Sequence, residues 1–147
     1  LADLFADGTP PPASATLVMG VPYRTDLLYD EHFRRLAETR TEFDYLTAIS
    51  RETAGQAGCG EYVQDALQSA ADRLLPVLSS ERTLVYICGI AGMELGILRG
   101  LAEHLPPEAL ARFLTVDPSV EHDRASWTRR MLHKQLKPTR RVFLEVY

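Results

Sequence analysis

Three short stretches carry residue types that could act on one ligand. They are Gly20-Val21-Pro22-Tyr23-Arg24-Thr25, then Ile49-Ser50-Arg51 with Tyr62 and Gln64 across the following loop, and Cys88-Gly89-Ile90-Ala91-Gly92. Each follows an apolar, β-branched run, so each reads as a loop at the carboxyl end of a strand. In an open parallel sheet, ligands collect at those ends. Ser50 and Arg51 place a hydroxyl beside a guanidinium, which suits a phosphate monoester held in a forked, charge-assisted geometry. Tyr62 could stack on a purine while its hydroxyl meets the same phosphate. On spacing alone, a solvated loop arginine followed by a helix-start tyrosine is the more common explanation. Gly89 and Gly92 would let backbone and ligand approach closely. The three strand ends together outline a nucleotide-sized crevice, although the GxGxxG dinucleotide fingerprint is absent.

Cys88 admits two readings. It is either a small core residue at a strand end, or a thiol facing a site and influenced by the helix that begins near Gly92. No histidine is placed beside it by the sequence, which disfavours a Cys–His nucleophile. Cys59 sits in a glycine-containing loop and receives no role. Tyr147 ends the sequence behind a strand-like run, and Glu145, two residues earlier, points to the same side. Chain termini usually fray, but an ordered strand would hold Tyr147 in place. An edge strand of alternating polarity explains the same residues.

The elements that must position these groups follow from periodicity. Strands are expected over 15–21, 43–49, 83–88 and 141–147. A helix over 30–40 turns Phe33, Leu36 and Ala37 inward and Glu31, Arg34, Arg35 and Glu38 outward. The clearest helical pattern is 61–78, where Val63, Leu67, Ala70, Leu74 and Leu78 recur at helical spacing and Pro76 marks the fraying end. Met93, Ile97, Leu101 and Leu105 define a helix over 92–104 that Pro106-Pro107 stops. A short helix is expected over 108–113, a polar surface loop over 117–126, and a final helix over 126–136 capped by Ser126. Leu1, Leu4 and Phe5 look like the last turns of a helix, and the prolines at 10–12 form a linker. The βαβαβαβ order predicts an α/β fold: a doubly wound parallel sheet with helices on both faces, Rossmann-like and truncated at its N-terminal side.

Composition narrows the class. A chain of 147 residues with 46% hydrophobic content fits one domain, residues 1–147, with a real core. The net charge of −4 argues against a nucleic-acid binder dominated by phosphate contacts. No run approaches the ~18 apolar residues of a membrane span, and the start lacks the pattern of a signal peptide. Two cysteines and four scattered histidines give no metal-ligand spacing, so no metal is expected. A reducing, bacterial cytoplasm is the simplest location.

The ordered motifs make the chain resemble the C-terminal, pyridine-nucleotide-binding half of plant-type ferredoxin–NADP reductases. Leu17-Val18-Met19-Gly20-Val21-Pro22, followed by Asp26-Leu27-Leu28-Tyr29, is similar to that family's "GVP…LLY" segment. Ile49-Ser50-Arg51-Glu52 is similar to its "SRE" loop, and Tyr62-Val63-Gln64 to its "YIQ" helix start. The run from Val85 through Cys88-Gly89 to Gly92-Met93-Glu94 resembles "VYxCGxxGME", and Glu145-Val146-Tyr147 resembles the terminal "EVY". The likeness covers nearly the whole chain except about 117–125.

The resemblance implies a set of roles. Ser50, Arg51 and Tyr62 would bind the 2′-phosphate and adenosine of NADP, with Gln64 supporting that pocket. Gly20, Pro22, Gly89 and Ile90 would line the nucleotide's path. Cys88 would sit beside the nicotinamide, Glu145 would serve the nicotinamide and proton-transfer region, and Tyr147 would stack on the isoalloxazine of FAD. The implied parent is a flavoprotein oxidoreductase in electron transport, exchanging electrons with ferredoxin, flavodoxin or a fused iron–sulfur domain. Two departures accompany the match. Gly60 stands where the family often has a lysine, a second cation for the 2′-phosphate. The family's first strand, its glycine-rich turn and the preceding flavin-binding barrel are not in this sequence, which therefore reads as part of a longer protein, inactive alone. Two other readings are the reductase component of an oxygenase, such as a benzoyl-CoA epoxidase, and a non-catalytic assembly module that kept the fold.

Overall fold

A computed structural model describes residues 14–52 and 60–147. The expectations for 1–13, for most of the 50–60 loop and for Cys59 fall outside the described residues. The chain divides into two compact units, Leu1–Ala66 and Leu67–Tyr147. Its parallel strands joined through helices give the α/β, Rossmann-like class expected.

In the first unit, β1 (Ala15–Val21) and β2 (Phe43–Ile49) pair in parallel, with Ala15 opposite Phe43 and Val21 opposite Ile49. The crossover is α1 (Asp30–Thr39). Its inner stripe is the expected one: Phe33, Leu36 and Ala37 are half-buried, while Glu31, Arg34, Arg35 and Glu38 are exposed. Phe33 packs its ring against Phe43 and Tyr45, with centroids 6.1 and 5.5 Å away, which docks α1 on β2. Asp30 and Arg34, one turn apart, pair at 2.9 Å on the same helix. That contact holds the Asp30 carboxyl below its ordinary range. Burial, followed by the influence of the nearby Asp30 carboxylate, pushes the neighbouring Tyr45 phenol up to about 12.

In the second unit, β3 (Val85–Gly89) pairs in parallel with β6 (Val142–Val146). The helix α4 (Met93–His104) follows β3 and buries Ile97, Leu98 and Leu101. Leu105 is buried beyond its end, and α5 (Pro107–Leu110) begins at once, because proline suits a first helical turn. The core here centres on Leu98, Phe113, Leu114, Trp127 and Leu136, all but completely buried.

Three expectations are corrected. The single helix over 61–78 is two helices, α2 (Val63–Ser69) and α3 (Ala71–Leu78), separated at Ala70. Pro76 lies inside α3 instead of at a frayed end. The final helix over 126–136 does not form. Ser126 turns its hydroxyl back to the Asp123 carbonyl at 2.8 Å, so it caps nothing ahead of it. Trp127 plugs the core with its indole N–H on the Val120 carbonyl at 2.8 Å, and the Arg99 guanidinium takes the Ala125 and Trp127 carbonyls. Only a short 3-10 turn, Arg129–Met131, remains of the helix. The chain then enters β5 (Leu136–Pro138), antiparallel to β4 (Leu114–Val116), a ladder the periodicity did not reveal. The segment over 117–126 is polar and mostly exposed as expected, but holds a one-turn helix, α6 (Pro118–Glu121). Asp117 caps it by accepting from the Ser119 N–H at 2.9 Å and its hydroxyl at 2.6 Å, which lowers the Asp117 carboxyl pKa. Among the described residues the strands form three two-stranded sheets, with no ladder joining one pair to another.

Candidate functional site

The first unit gathers Gly20, Pro22, Ser50, Arg51, Tyr62 and Gln64 at the carboxyl ends of β1 and β2. The two strand ends are tied as they leave the ladder: the Ser50 N–H donates to the Val21 carbonyl and the Arg51 N–H to the Pro22 carbonyl, each at 2.9 Å. The chain returns from its loop with the Glu61 N–H on the Ile49 carbonyl at 2.9 Å. Tyr62 then opens α2, its N–H capped by the Asp65 carboxylate at 2.9 Å. This leaves the Tyr62 ring 56% exposed beside the strand end. Arg51 is exposed, and among the described residues its guanidinium has no ion-pair partner. The Ser50 hydroxyl donates to the Val21 carbonyl at 3.4 Å, and the exposed guanidinium and exposed ring beside it suit an anion and an aromatic base.

Two glycines here are matters of space. A side chain at Gly20 would run into Val63 at the start of α2. A side chain at Gly60 would overlap the Ser50 backbone. Gly60 therefore lies directly on the Ser50 backbone, and a residue with a Cβ at 60 displaces one of the two. That gives the Gly60 departure a physical reason: the space a lysine's Cβ would need is occupied by Ser50.

The second unit gathers Cys88, Gly89, Ile90, Glu145 and Tyr147. Cys88 and Glu145 are register partners on β3 and β6, both exposed. Cys88 is a free thiol, exposed and not part of the core. The Tyr147 N–H donates to the Gly89 carbonyl at 3.2 Å, and its carbonyl accepts from the Ala91 N–H at 3.1 Å. Its backbone is thus fastened to the turn after β3 while the ring stands 85% exposed. Gly89 at φ 152° and Gly92 at φ 109° take conformations that a side chain would disfavour. On the same face, the exposed Tyr86 stacks on Phe143 with centroids 4.5 Å apart.

Sequence reasoning did not single out Glu94 or Arg129. Glu94 lies in the first turn of α4, is fully buried, and bonds Gly92 and Arg129. An acid just inside a helix start was a readable signal. Arg129, 35 residues on, carried none. The Glu94 carboxylate thus occupies the Gly92 N–H, and Arg129 balances its charge.

An α/β domain with ligand-type strand ends is what the fold and its exposed residues define. The model of the oxidoreductase NAD-binding domain matches residues 1–98, and the chain belongs to that family. Among curated relatives, the ferredoxin–NADP reductase of Spirulina sp is 39% identical over 89 residues, 60% of this chain and 30% of that protein. The chloroplastic leaf isozyme 2 of ferredoxin–NADP reductase from Oryza sativa subsp. indica is 42% identical over 84 residues, 56% of this chain and 23% of that protein. The matches thus take up less than a third of these relatives' length. A ferredoxin–NADP reductase from Plasmodium falciparum, solved with 2′P-AMP, superposes with a TM-score of 0.59 at 16% identity, over 100% of this chain and 46% of that one, a likeness of fold. No helix among the described residues is long and apolar enough to cross a membrane.

Proposed function

We propose that residues 1–147 are the NADP(H)-binding domain of a ferredoxin–NADP reductase-like flavoprotein. The observation that carries this reading is the pairing of Cys88 with Glu145 beside a backbone-anchored, ring-exposed Tyr147. The relatives, which are ferredoxin–NADP reductases, favour it over the oxygenase-component and assembly-module readings.

The residues present fit the cofactor. In the first unit, Arg51 and Ser50 would hold the 2′-phosphate, Tyr62 would stack on the adenine, and Gln64 would support them. The structural neighbour's 2′P-AMP supports this chemistry. Gly20 and Pro22 would line the nucleotide's path, as would Gly89 and Ile90. In the second unit, Cys88 would position the nicotinamide, Glu145 would serve proton movement at that end, and Tyr147 would shield the flavin and give way to the ring. The nicotinamide and the FAD, when bound, supply hydride transfer between them. The protein's part is orientation and exclusion of water. Ferredoxin, flavodoxin or a fused iron–sulfur domain would be the electron partner, and the bacterial cytoplasm the location.

The test is anaerobic titration of the full-length protein with NADPH. Bleaching of the flavin absorbance is expected, and a flavin that stays oxidised overturns the assignment.

A further inference from the structure

Among the described residues, Glu94 is the charged side chain wholly removed from solvent. One carboxylate oxygen accepts the Gly92 N–H at 2.6 Å, and the other accepts the Arg129 Nε–H at 2.7 Å. The pair is buried only at its carboxylate end, because the Arg129 side chain is 53% exposed, and ion pairs whose desolvation opposes their attraction seldom stabilise a fold more than apolar residues would. Their better-attested use is to specify one geometry. Here the geometry specified is the turn from Cys88 to Gly92.

The turn is held from two sides. Tyr147 pins Gly89 and Ala91 by backbone bonds, and Glu94 pins Gly92. Arg129 is itself delivered by a fixed segment. Arg99 on α4 binds the Ala125 and Trp127 carbonyls, and the buried Trp127 locks that stretch against the core. Among the described residues a Cβ at Gly92 would meet nothing, whereas the Met93 methyl packs against Gly89, so it is the Gly92 end of the turn that these anchors hold.

We propose that Glu94 and Arg129 are a positioning pair that sets the Cys88–Gly92 turn and, through it, the seat of the nicotinamide ring. For the ligand this rests on the pyridine-nucleotide reading above. For the turn it rests on geometry alone.

The experiment compares the full-length wild-type protein with Arg129→Met, Arg129→Lys, Glu94→Gln and the double variant Glu94→Gln/Arg129→Met. Two readouts need no nucleotide: amide hydrogen exchange of the peptide holding Gly92, and iodoacetamide alkylation of Cys88 followed by peptide mapping. Arg129→Met should raise the Gly92 exchange by roughly tenfold, as expected for a buried carboxylate left without its partner, while alkylation of the already exposed Cys88 should stay near the wild-type rate. Exchange in β1 and β2 should stay unchanged. KM for NADPH should rise more than kcat falls. Arg129→Lys should be intermediate, because an ammonium keeps the charge but not the guanidinium's geometry. The double variant should be no worse than Arg129→Met alone. Wild-type exchange at Gly92 in a folded variant of Arg129, Met or Lys, overturns the proposal, as do additive effects in the double variant. A loosened turn in a protein whose wild type does not bind NADPH would support the pair and overturn the nucleotide reading, so the two failures are distinguishable.

Discussion

Cys88 and Glu145 stand directly opposite each other on the parallel strands β3 and β6 and emerge on one exposed face. A thiol and a carboxylate at matched register on neighbouring strands have their spacing set by the ladder and not by loop conformation. Backbone hydrogen bonds therefore hold the pair at a fixed separation, which a group that must orient a ring requires.

This placement separates function from stability at Cys88. Because the thiol is exposed, Cys88→Ser should alter unfolding free energy by no more than about 0.5 kcal/mol. The same change should depress the rate of flavin reduction by NADPH in the full-length protein. Stopped-flow reduction alongside thermal melts checks both, and an unchanged rate would remove Cys88 from the nicotinamide end.

In the proposed pocket, Arg51 would carry the distinction between NADPH and NADH. Loss of charge-assisted bonds to a 2′-phosphate should weaken NADPH roughly ten- to a hundredfold in Arg51→Ala, with little effect on NADH. Dissociation constants for both nucleotides decide the matter. Equal losses would show that Arg51 does not read the phosphate.

Gly60→Lys makes the opposite point. Adding a cation near a phosphate should strengthen binding if space allowed it. The Cβ at 60 would overlap the Ser50 backbone, so the substitution should displace the Ser50–Arg51 strand end. We expect weaker NADPH binding and a stability loss of about 1–3 kcal/mol, typical of overpacking. Calorimetric binding and chemical unfolding test this, and tighter NADPH binding with unchanged stability would contradict it.

Tyr45 makes stability sensitive to alkali. Its folded pKa is pushed up to about 12 from an ordinary 10.0. The unfolded chain therefore releases the phenolic proton first as pH rises. The contribution is fully present below pH 10 and is lost as pH rises toward 12. Unfolding free energies across that window should fall more steeply for the wild type than for Tyr45→Phe. Parallel curves would show that the phenol retains no proton advantage in the fold.

The sequence by itself determined most of the local elements and named the candidate site residues. Alternating apolar runs marked β1, β2, β3 and β6 within two residues at either end, and the spacing of Phe33, Leu36 and Ala37 or Ile97 and Leu101 marked α1 and α4, because each pattern is repeated within a few residues. The motifs around Ser50, Cys88 and Tyr147 likewise named the candidate residues without any coordinates. The tertiary structure alone decided what depends on partners far along the chain. The stretch 126–136 read as a helix, but Arg99 claims its carbonyls and Trp127 is drawn into the core, so long-range bonds outweigh local propensity. Gly60 read as a missing cation until Ser50 was found against it. Glu94 drew no separate reading, and only folding brings Arg129 to it and turns the pair into an anchor for the turn beside Cys88.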